Sequence, residues 1–172
     1  MAEFESTITV DRPVGEVFDL VRDLENARYF DPQCVSVHRT TSGTIGVGTS
    51  FEFREPVPPF GRIGRTVCTY TALEAPERIV VEFCLGAFRG SECYLLSPDG
   101  AGTRLTTRGT VRVPLLLRPL SFVVASHGKR VWHARLRWIK NWIEAGAPRD
   151  GSWQPRAATP PKTTRTKLRI EQ

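Results

Sequence analysis

Glu55 is the residue of this chain whose position best suits acid–base chemistry. It alternates with Phe51 and Phe53 along a strand-like run, so the three side chains are expected on one face. Pro58 and Pro59 end the run, which places Glu55 at the mouth of any space that this face encloses. A carboxylate there could bind a ligand hydroxyl or, if desolvated, act as an acid or base with a raised pKa. The alternative is a solvated glutamate at a strand end, and the sequence leaves the catalytic residues otherwise unknown.

Other catalytic and metal-binding patterns are missing from the sequence. It contains no GxSxG, HExxH or P-loop motif, and its glycine-rich segment near residue 46 does not open a helix as a dinucleotide-binding loop would. His127 and His133 lie about 120° apart on a predicted helix, so they cannot hold one ion together. The four cysteines have neither CxxC spacing nor a nearby histidine cluster. We therefore expect no metal site and no cofactor.

The remaining chemistry lies in hydroxyl groups on the face that alternation turns inward. Along one strand-like run Ile79, Val81 and Phe83 point to one side, while Arg78 and Glu82 point to the other. The apolar side is therefore expected to face a covering helix. The same parity, carried across the neighbouring hairpins, turns four hydroxyl-bearing residues inward: Thr69, Thr71, Tyr94 and Thr107.

A face that mixes hydroxyls and glycines with apolar side chains predicts a ligand cavity, typically of about 300 to 1,000 Å³. Gly109 on a strand and Gly128 on the last helix are expected to leave volume there. The alternative is that Trp132, Phe83 and Tyr94 fill the space. The predicted ligand-binding residues are Phe30, Phe51, Phe53, Thr69, Thr71, Val81, Phe83, Tyr94, Leu96, Thr107, Gly109, Val111, Val124, Gly128 and Trp132.

The elements that must position this face follow a simple order. Alternation over residues 3–10 predicts a strand, and two short helices are expected after it. Six more strand-like runs, separated by Gly and Pro turns, extend to residue 113. A last helix carries an apolar arc at helical spacing: Ser121, Ala125, Gly128, Trp132, Leu136, Ile139 and Ile143. This order predicts an α+β fold, a seven-stranded antiparallel sheet wrapped around a long C-terminal helix.

Five segments carry a family resemblance: VDRPVGEVFDLVRDLENARYFDP, GTIGVGTSFEF, TALEAPERIVVEF, SPDGAGTRLTTRGTV and RVPLLLRPL. Together they resemble the START/polyketide-cyclase (SRPBCC) superfamily, and the resemblance covers residues 2–147. It implies the helix-grip fold of the birch-pollen allergen. Because that superfamily includes lipid carriers, hormone receptors and aromatases, the resemblance implies a fold and not one function.

Residues 1–147 are expected to form one ligand-binding domain, because 172 residues with 40% hydrophobic content can bury a single core. Residues 148–172 are expected to be a flexible basic tail rich in Pro and Thr. From Gly151 onward this tail holds five Lys or Arg and one acid, which is +4 of the chain's net +6. A short solvated charge run explains it, so no specific nucleic-acid partner is expected.

The chain is expected to be soluble and cytoplasmic. Its N-terminus alternates charged and apolar residues instead of forming an apolar leader. Its longest apolar stretch, residues 114–125, is interrupted by Arg118 and Pro119, so no transmembrane segment is expected. Trp138 and Trp142 on the flank of the last helix could pack against the sheet or form a dimer contact, which leaves monomer and homodimer open.

Two functions fit this sequence. The first is binding or transport of a small hydrophobic ligand, lipid or polyketide-like, which requires only an apolar cavity with a mouth. The second is a polyketide cyclase or aromatase acting on a ligand in the same cavity, which requires positioned acid and base groups. No convincing catalytic pair is visible, so the sequence favours the carrier. Holding a flexible chain in one conformation can itself promote cyclisation, so enzymatic activity stays open.

Overall fold

The computed structural model describes residues 2–57, 62–112 and 121–150, and for Ala2, Val57 and residues 121–128 it describes the backbone alone. The helices and strands, in chain order, are β1 (Ala2–Val10), α1 (Val14–Val21), a 3₁₀ turn (Leu24–Asn26), α2 (Ala27–Phe30), β2 (Ser36–Arg39), β3 (Ser50–Val57), β4 (Arg62–Glu74), β5 (Arg78–Leu85), β6 (Phe88–Asp99), β7 (Gly102–Arg112) and α3 (Ser121–Glu144). Of the predicted tail, residues 148–172, all but the first three residues lie outside the described residues, and the carbonyl oxygen of Pro148 accepts a hydrogen bond from Trp142.

The strands form one antiparallel sheet in the order β1-β7-β6-β5-β4-β3-β2. Strands β2 to β6 each pair with the next strand in the chain, while β1 pairs with β7, the last strand. Helix α3 packs on the sheet. This confirms the predicted α+β helix-grip architecture.

Strand register assigns the inner face of the sheet. One row across four strands joins Val81, Glu92, Gly109 and Phe4, and the next row along joins Ile79, Tyr94, Thr107 and Ser6. The described half of α3 covers this face with three nearly inaccessible side chains of the predicted apolar arc: Leu136, Ile139 and Ile143. The apolar periodicity of the last helix therefore reflects burial against the sheet, as predicted.

The inward assignment of Thr69 and Thr71 is wrong. The β4–β5 register is regular from Glu74 to Ala72, but a β-bulge between Ala72 and Tyr70 inserts Thr71 as an extra residue. One extra residue reverses the alternation beyond it, so Tyr70 points inward instead. Tyr70 is 1% exposed, and its hydroxyl donates to the carbonyl oxygen of Arg22.

The same reversal changes which other β4 side chains reach the interior. Thr66 and Cys68 lie beside Phe53, Phe51 and Phe83 on the inner face. Thr69 lies on the outer face, where its hydroxyl pairs with that of Ser50 at 2.8 Å, and Thr71 is exposed. Neither threonine therefore contributes to the lining of the inner face.

Gly109 points inward, but it leaves no free volume. A Cβ atom at this position would overlap the ring of Phe4, which lies directly across from it on β1. The Phe4 ring also packs against Trp132, with ring centroids 4.0 Å apart. The space beside Gly109 is thus filled by Phe4 of the neighbouring strand. No cavity forms at this point.

Polar contacts attach α3 to strand β1 along the length of the strand. The Lys140 ammonium donates to the carbonyl oxygen of Thr9 at 2.6 Å, and the Glu144 carboxylate accepts from the backbone N–H of Asp11 at 2.8 Å. Nearer the start of β1, the hydroxyl of Ser6 lies 3.0 Å from the Nδ1 atom of His133. These contacts hold the helix close to the β1 edge of the sheet.

The two tryptophans on the flank of α3 lie in the core of the chain. Trp142 is fully buried, stacks on Tyr29 and packs against Phe30, and its indole N–H donates to the carbonyl oxygen of Pro148 at 3.0 Å. Trp138 is 9% exposed. Their burial within one chain explains their position without a dimer contact.

Candidate ligand-binding site

The inner face has a tightly packed half and a less covered half. Around the described part of α3, side chains such as Leu105, Leu96 and Ile79 are 0–4% exposed. Toward the β5–β6 hairpin the inward-facing residues are only half-buried: Cys68, Phe83, Leu85, Phe88 and Trp132. The hairpin end of the inner face is therefore less covered than the part that lies beneath the C-terminal half of α3.

A partly buried ion-pair cluster centred on Arg135 lies on this face. The Arg135 Nε donates to Oδ2 of Asp31 at 3.0 Å, and one of its terminal nitrogens lies 3.5 Å from Oε2 of Glu55. The Asp31 side chain is 2% exposed and that of Arg135 is 21% exposed. The cluster connects the residue that follows α2 with strand β3 and with the middle of α3.

The carboxylates around Arg135 stabilise its positive charge. Burial alone would lower the pKa of Arg135, but the carboxylates of Asp31, Glu55 and Glu92 together hold that pKa well above its usual value. The guanidinium is therefore a permanent positive charge. The second oxygen of Asp31 accepts from the backbone N–H of Gln33 at 2.9 Å, so both oxygens of this buried carboxylate are hydrogen-bonded.

Glu55 points inward from β3, as its alternation with Phe51 and Phe53 predicts. Its Oε1 accepts from the hydroxyl of Thr66 at 2.6 Å, while its other oxygen faces Arg135. Glu55 is therefore not a freely solvated residue at a strand end. Its part in ligand binding or catalysis stays a prediction.

Glu92 is the second carboxyl group of the inner face and the more deeply buried one, with 6% exposed. Burial raises its pKa, while Arg135, Tyr94 and Trp132 partly oppose the rise and Glu55 adds to it. Its Oε1 has no hydrogen-bond partner among the described residues. A buried carboxyl group without full hydrogen bonding is costly, and its protonated form is favoured.

Two further buried polar atoms near Glu92 lack a partner among the described residues. They are the hydroxyl oxygen of Thr107, a residue with no exposed surface, and the indole nitrogen of Trp132. Thr107 lies one row along the sheet from Glu92, and Trp132 contacts Phe4 and Phe83 above this region. We refer to Glu92, Thr107 and Trp132 as the unpaired trio. Folded proteins leave few buried polar atoms unpaired, so the trio requires an explanation.

The cysteines near the site are not activated nucleophiles. Burial, with help from neighbouring carboxylates, raises the pKa of both Cys34 and Cys68 to about 12. Both thiols therefore stay protonated near neutral pH, and a protonated thiol is a poor nucleophile. Within the described ranges, no three His, Cys, Asp or Glu side chains are arranged to hold a metal ion.

The structure brings most of the predicted site residues to the inner face. Phe30 is buried against Trp142, and Phe51 packs edge-to-face on Tyr70 at 5.6 Å. For Val124 and Gly128 only the backbone is described, so their part in a lining stays a prediction. Contact with a ligand stays a prediction for the residues that do face inward: Phe51, Phe53, Val81, Phe83, Tyr94, Leu96, Thr107, Gly109, Val111 and Trp132.

Three charged residues of the site were missed by sequence reasoning, although two of them left a signal. Glu92 shares the parity of Tyr94 and therefore had to point inward. Arg135 precedes Ile139 by four positions, so it interrupts the buried face of α3 with a charge. Asp31 lies in the segment after α2, where no periodicity indicates direction.

A separate depression lies at the β1 edge of the sheet beside α3. It has a volume of about 790 Å³, is open to solvent, and is lined by residues that include Glu3, Ser6, Arg108, Lys129 and His133. Its lining combines side chains from both faces of the sheet, and the Arg135 cluster is not part of it. We therefore place the candidate site on the inner face instead.

Comparison with known proteins identifies the family. The family model described as polyketide cyclase/dehydrase and lipid transport matches residues 1–144. The chain therefore belongs to this family. A search of curated proteins found no match.

Of the helices in the described ranges, none has both the length and the apolar character that crossing a bilayer requires.

Solved structures share the fold at low sequence identity. A protein from Thermus thermophilus is 17% identical, with a TM-score of 0.72 over 85% of this chain and 99% of that one. The Zhui aromatase/cyclase from Streptomyces sp. R1128 is 16% identical, with a TM-score of 0.69 over 87% of this chain and 97% of its own. A START superfamily protein from Mycobacterium smegmatis is 12% identical, with a TM-score of 0.62 over 85% and 97%. Likeness at this identity establishes the fold alone.

Replacing Arg135 tests the ion-pair cluster. Arg135→Met should lower the free energy of unfolding by about 3 kcal/mol, because it leaves the carboxylate of Asp31 buried without its cation. Arg137→Met, an exposed arginine on the same helix, should change it by less than about 0.5 kcal/mol. Both values can be measured by urea denaturation. In an Asp31→Asn background the cost of Arg135→Met should shrink, and equal costs in the two backgrounds would contradict the pairing.

The raised pKa of Glu92 predicts a pH-dependent stability difference. At pH values below about 4, Glu92 is neutral in both the folded and the unfolded chain. Between the ordinary pKa of the unfolded chain and the raised pKa of the folded protein, the unfolded chain loses this proton while the folded protein keeps it, so stability falls as the pH rises until the folded-state pKa is passed. Glu92→Gln carries no charge at any pH.

The free energy of unfolding of Glu92→Gln relative to the natural protein should therefore increase from about pH 4 upward and then level off. Chemical denaturation at several pH values measures it. The matched variant Glu82→Gln, an exposed glutamate on the outer face, should show no such trend. A difference that falls with increasing pH would mean that Arg135 and Tyr94 outweigh burial at Glu92.

Proposed function

We propose that this chain binds a small, mainly apolar molecule between the inner face of the sheet and helix α3. The observation that carries the proposal is the unpaired trio, in which Glu92, Thr107 and Trp132 present buried polar atoms without partners among the described residues. Such atoms are costly in a folded protein unless something pairs with them. A bound molecule with a polar end would pair with them.

The surroundings of the trio support an apolar body for this molecule. Phe83 and Trp132 face each other at a ring-centroid distance of 6.3 Å, and Leu85 and Phe88 continue the apolar surface toward the β5–β6 hairpin. These side chains are only half-buried, unlike the packed core beneath the C-terminal half of α3. Ligand sites commonly combine an apolar lining with a few polar groups that orient the ligand.

Binding or transport of a hydrophobic molecule is the function that this arrangement supports best. It requires an apolar surface, a polar anchor and access from solvent, and the hairpin end of the inner face supplies the first two. It requires no proton transfer. The membership of the chain in a family that includes lipid transport proteins agrees with this function.

A polyketide cyclase is the second candidate, and the environment of Glu92 favours it. A buried carboxyl group with a raised pKa can donate a hydrogen bond to a ketone oxygen. The positive charge of Arg135 acts on the same group and would stabilise negative charge that develops on that oxygen during ring closure. These two residues supply the polar pair that sequence analysis did not find.

Filling the inner face should weaken binding. The neutral fluorophore N-phenyl-1-naphthylamine should bind the natural protein with increased fluorescence. Cys68→Phe adds a ring on the inner face near Glu55 and Glu92, so the affinity should fall at least about tenfold, which corresponds to 1.4 kcal/mol. Val67→Phe places the same ring on the outer face of the same strand and should leave the affinity unchanged. Equal affinities for the two variants, with both folded, would show that the fluorophore binds elsewhere.

Turnover separates the cyclase from the carrier. If the chain is a cyclase, Glu92→Gln should reduce cyclisation of a poly-β-ketone thioester at least about a hundredfold while fluorophore binding stays unchanged, because an acid acts mainly in the transition state. Product formation can be followed by liquid chromatography. Equal rates for the two proteins, or no cyclisation above the uncatalysed rate, would exclude Glu92 as the acid and leave the carrier function.

A further inference from the structure

We infer that Phe83 is a gate. Its ring closes the passage between the hairpin end of the inner face and the buried polar atoms of the unpaired trio, and it must swing aside before a ligand can reach them. The inference rests on the proposed function, because it concerns access to the place where that ligand would bind. Three observations support it: the burial of the trio, the strand register and the position of the Phe83 ring.

The polar atoms of the trio are closed off from solvent. Glu92 is 6% exposed, and Thr107 has no exposed surface. The unpaired atoms of all three residues, Trp132 included, are themselves buried. A ligand group can pair with these atoms only if a covering side chain moves first. The trio therefore requires a gate if it is to anchor a ligand, whether the polar end of that ligand donates or accepts hydrogen bonds.

The strand register places Phe83 on the route from the hairpin to the trio. On the inner face Phe83 pairs with Gly90 across strands β5 and β6, and the next inward-facing residue along β6 is Glu92. On the hairpin side of this pair, Leu85 pairs with Phe88. The Phe83 ring therefore lies between the apolar surface of the hairpin end and the first polar group of the trio.

The Phe83 ring lies across Gly90. A Cβ atom at position 90 would be 2.5 Å from the Cζ atom of this ring, so the ring occupies the space that a side chain there would need. On its other side Phe83 pairs with Cys68, which has a short side chain. Neither neighbour interlocks with the ring, and Phe83 is only half-buried. Few packed side chains among the described residues therefore oppose a change of its rotamer.

Phe4 forms the fixed side of the gate. Its ring fills the space beside Gly109 in a similar way, but Phe4 is only 6% exposed, and its ring centroid lies 4.0 Å from that of Trp132. The corresponding distance between Phe83 and Trp132 is 6.3 Å. Trp132 is thus held closely by Phe4, and Phe83 is the more loosely attached ring. Of these three aromatic side chains, Phe83 is the one that can move most easily.

A gate affects binding kinetics differently from a simple ligand contact. Removing a gate lowers a barrier that is common to entry and exit, so association and dissociation both become faster. Removing a contact mainly accelerates dissociation, because the association rate depends little on individual contacts. The two roles of Phe83 can therefore be separated by measuring both rates.

The first test is stopped-flow fluorescence with N-phenyl-1-naphthylamine and the full chain. Phe83→Ala should raise both the association and the dissociation rate constants at least about tenfold. Val80→Ala shortens another half-buried apolar side chain of β5, on the outer face, and should leave both rate constants unchanged. Phe83→Leu should act in the same direction with a smaller effect, and it replaces Phe83→Ala if that variant does not fold.

An unchanged association rate in Phe83→Ala, whatever its dissociation rate, would overturn the gate while leaving the proposed function intact. If the natural protein does not bind the fluorophore, as checked by native mass spectrometry, the proposed function itself fails.

A thiol placed beyond the Phe83 ring tests access without any ligand. Thr107→Cys introduces one at a position with no exposed surface. Methyl methanethiosulfonate, a small neutral reagent, should modify this thiol at least about tenfold faster when Phe83→Ala is added, and at an unchanged rate when Val80→Ala is added. Peptide mass spectrometry distinguishes the new thiol from the four natural cysteines. Equal rates in the two double variants, with both folded, would overturn the inference.

Discussion

The inner face of this protein depends on one partly buried cation. Arg135 projects from α3 toward the sheet and binds Asp31 and Glu55, which lie 104 and 80 residues earlier in the chain. An apolar side chain at this position would seal the helix against the sheet. A guanidinium instead requires carboxylates at defined distances, so it orients the helix relative to β3 and the end of α2. The same requirement places the carboxylates of Asp31 and Glu55 beside the inner face.

The polar groups of the site lie at the border between packed and less covered regions. Beneath the C-terminal half of α3 the core is closely filled, with Leu136, Ile139 and Ile143 against the sheet. Toward the β5–β6 hairpin the covering is thinner, and the unpaired trio lies where the two regions meet. A polar anchor at such a border would hold one end of an apolar ligand while its body extends toward the hairpin. Carrier and cyclase functions would use the same anchor, and they differ in whether Glu92 only binds or also transfers a proton.

Much of the fold followed from the sequence. Alternation predicted the strands, helical spacing predicted the buried arc of α3, and family resemblance supplied the helix-grip arrangement. The inward direction of Glu55 and Thr107 followed from the same alternation, and that of Glu92 was implied by Tyr94 but was not recognised. The prediction failed on β4, because a single bulged residue at Thr71 reverses the alternation and nothing in the local sequence marks the bulge. It also failed at Gly109, where the volume left by the missing side chain is taken by Phe4 from another strand.

The sequence by itself determined which elements form and which of their faces are apolar, since these properties depend on residue type and on periods of 2 and 3.6 residues. Only the tertiary structure decided that Asp31, Glu55 and Arg135 meet, because the contacts span separations of 80 residues or more in the chain. It also decided which buried polar atoms find partners. Hydrogen bonding and charge pairing depend on distances of a few ångströms between distant segments, and periodicity along one segment carries no information about those distances.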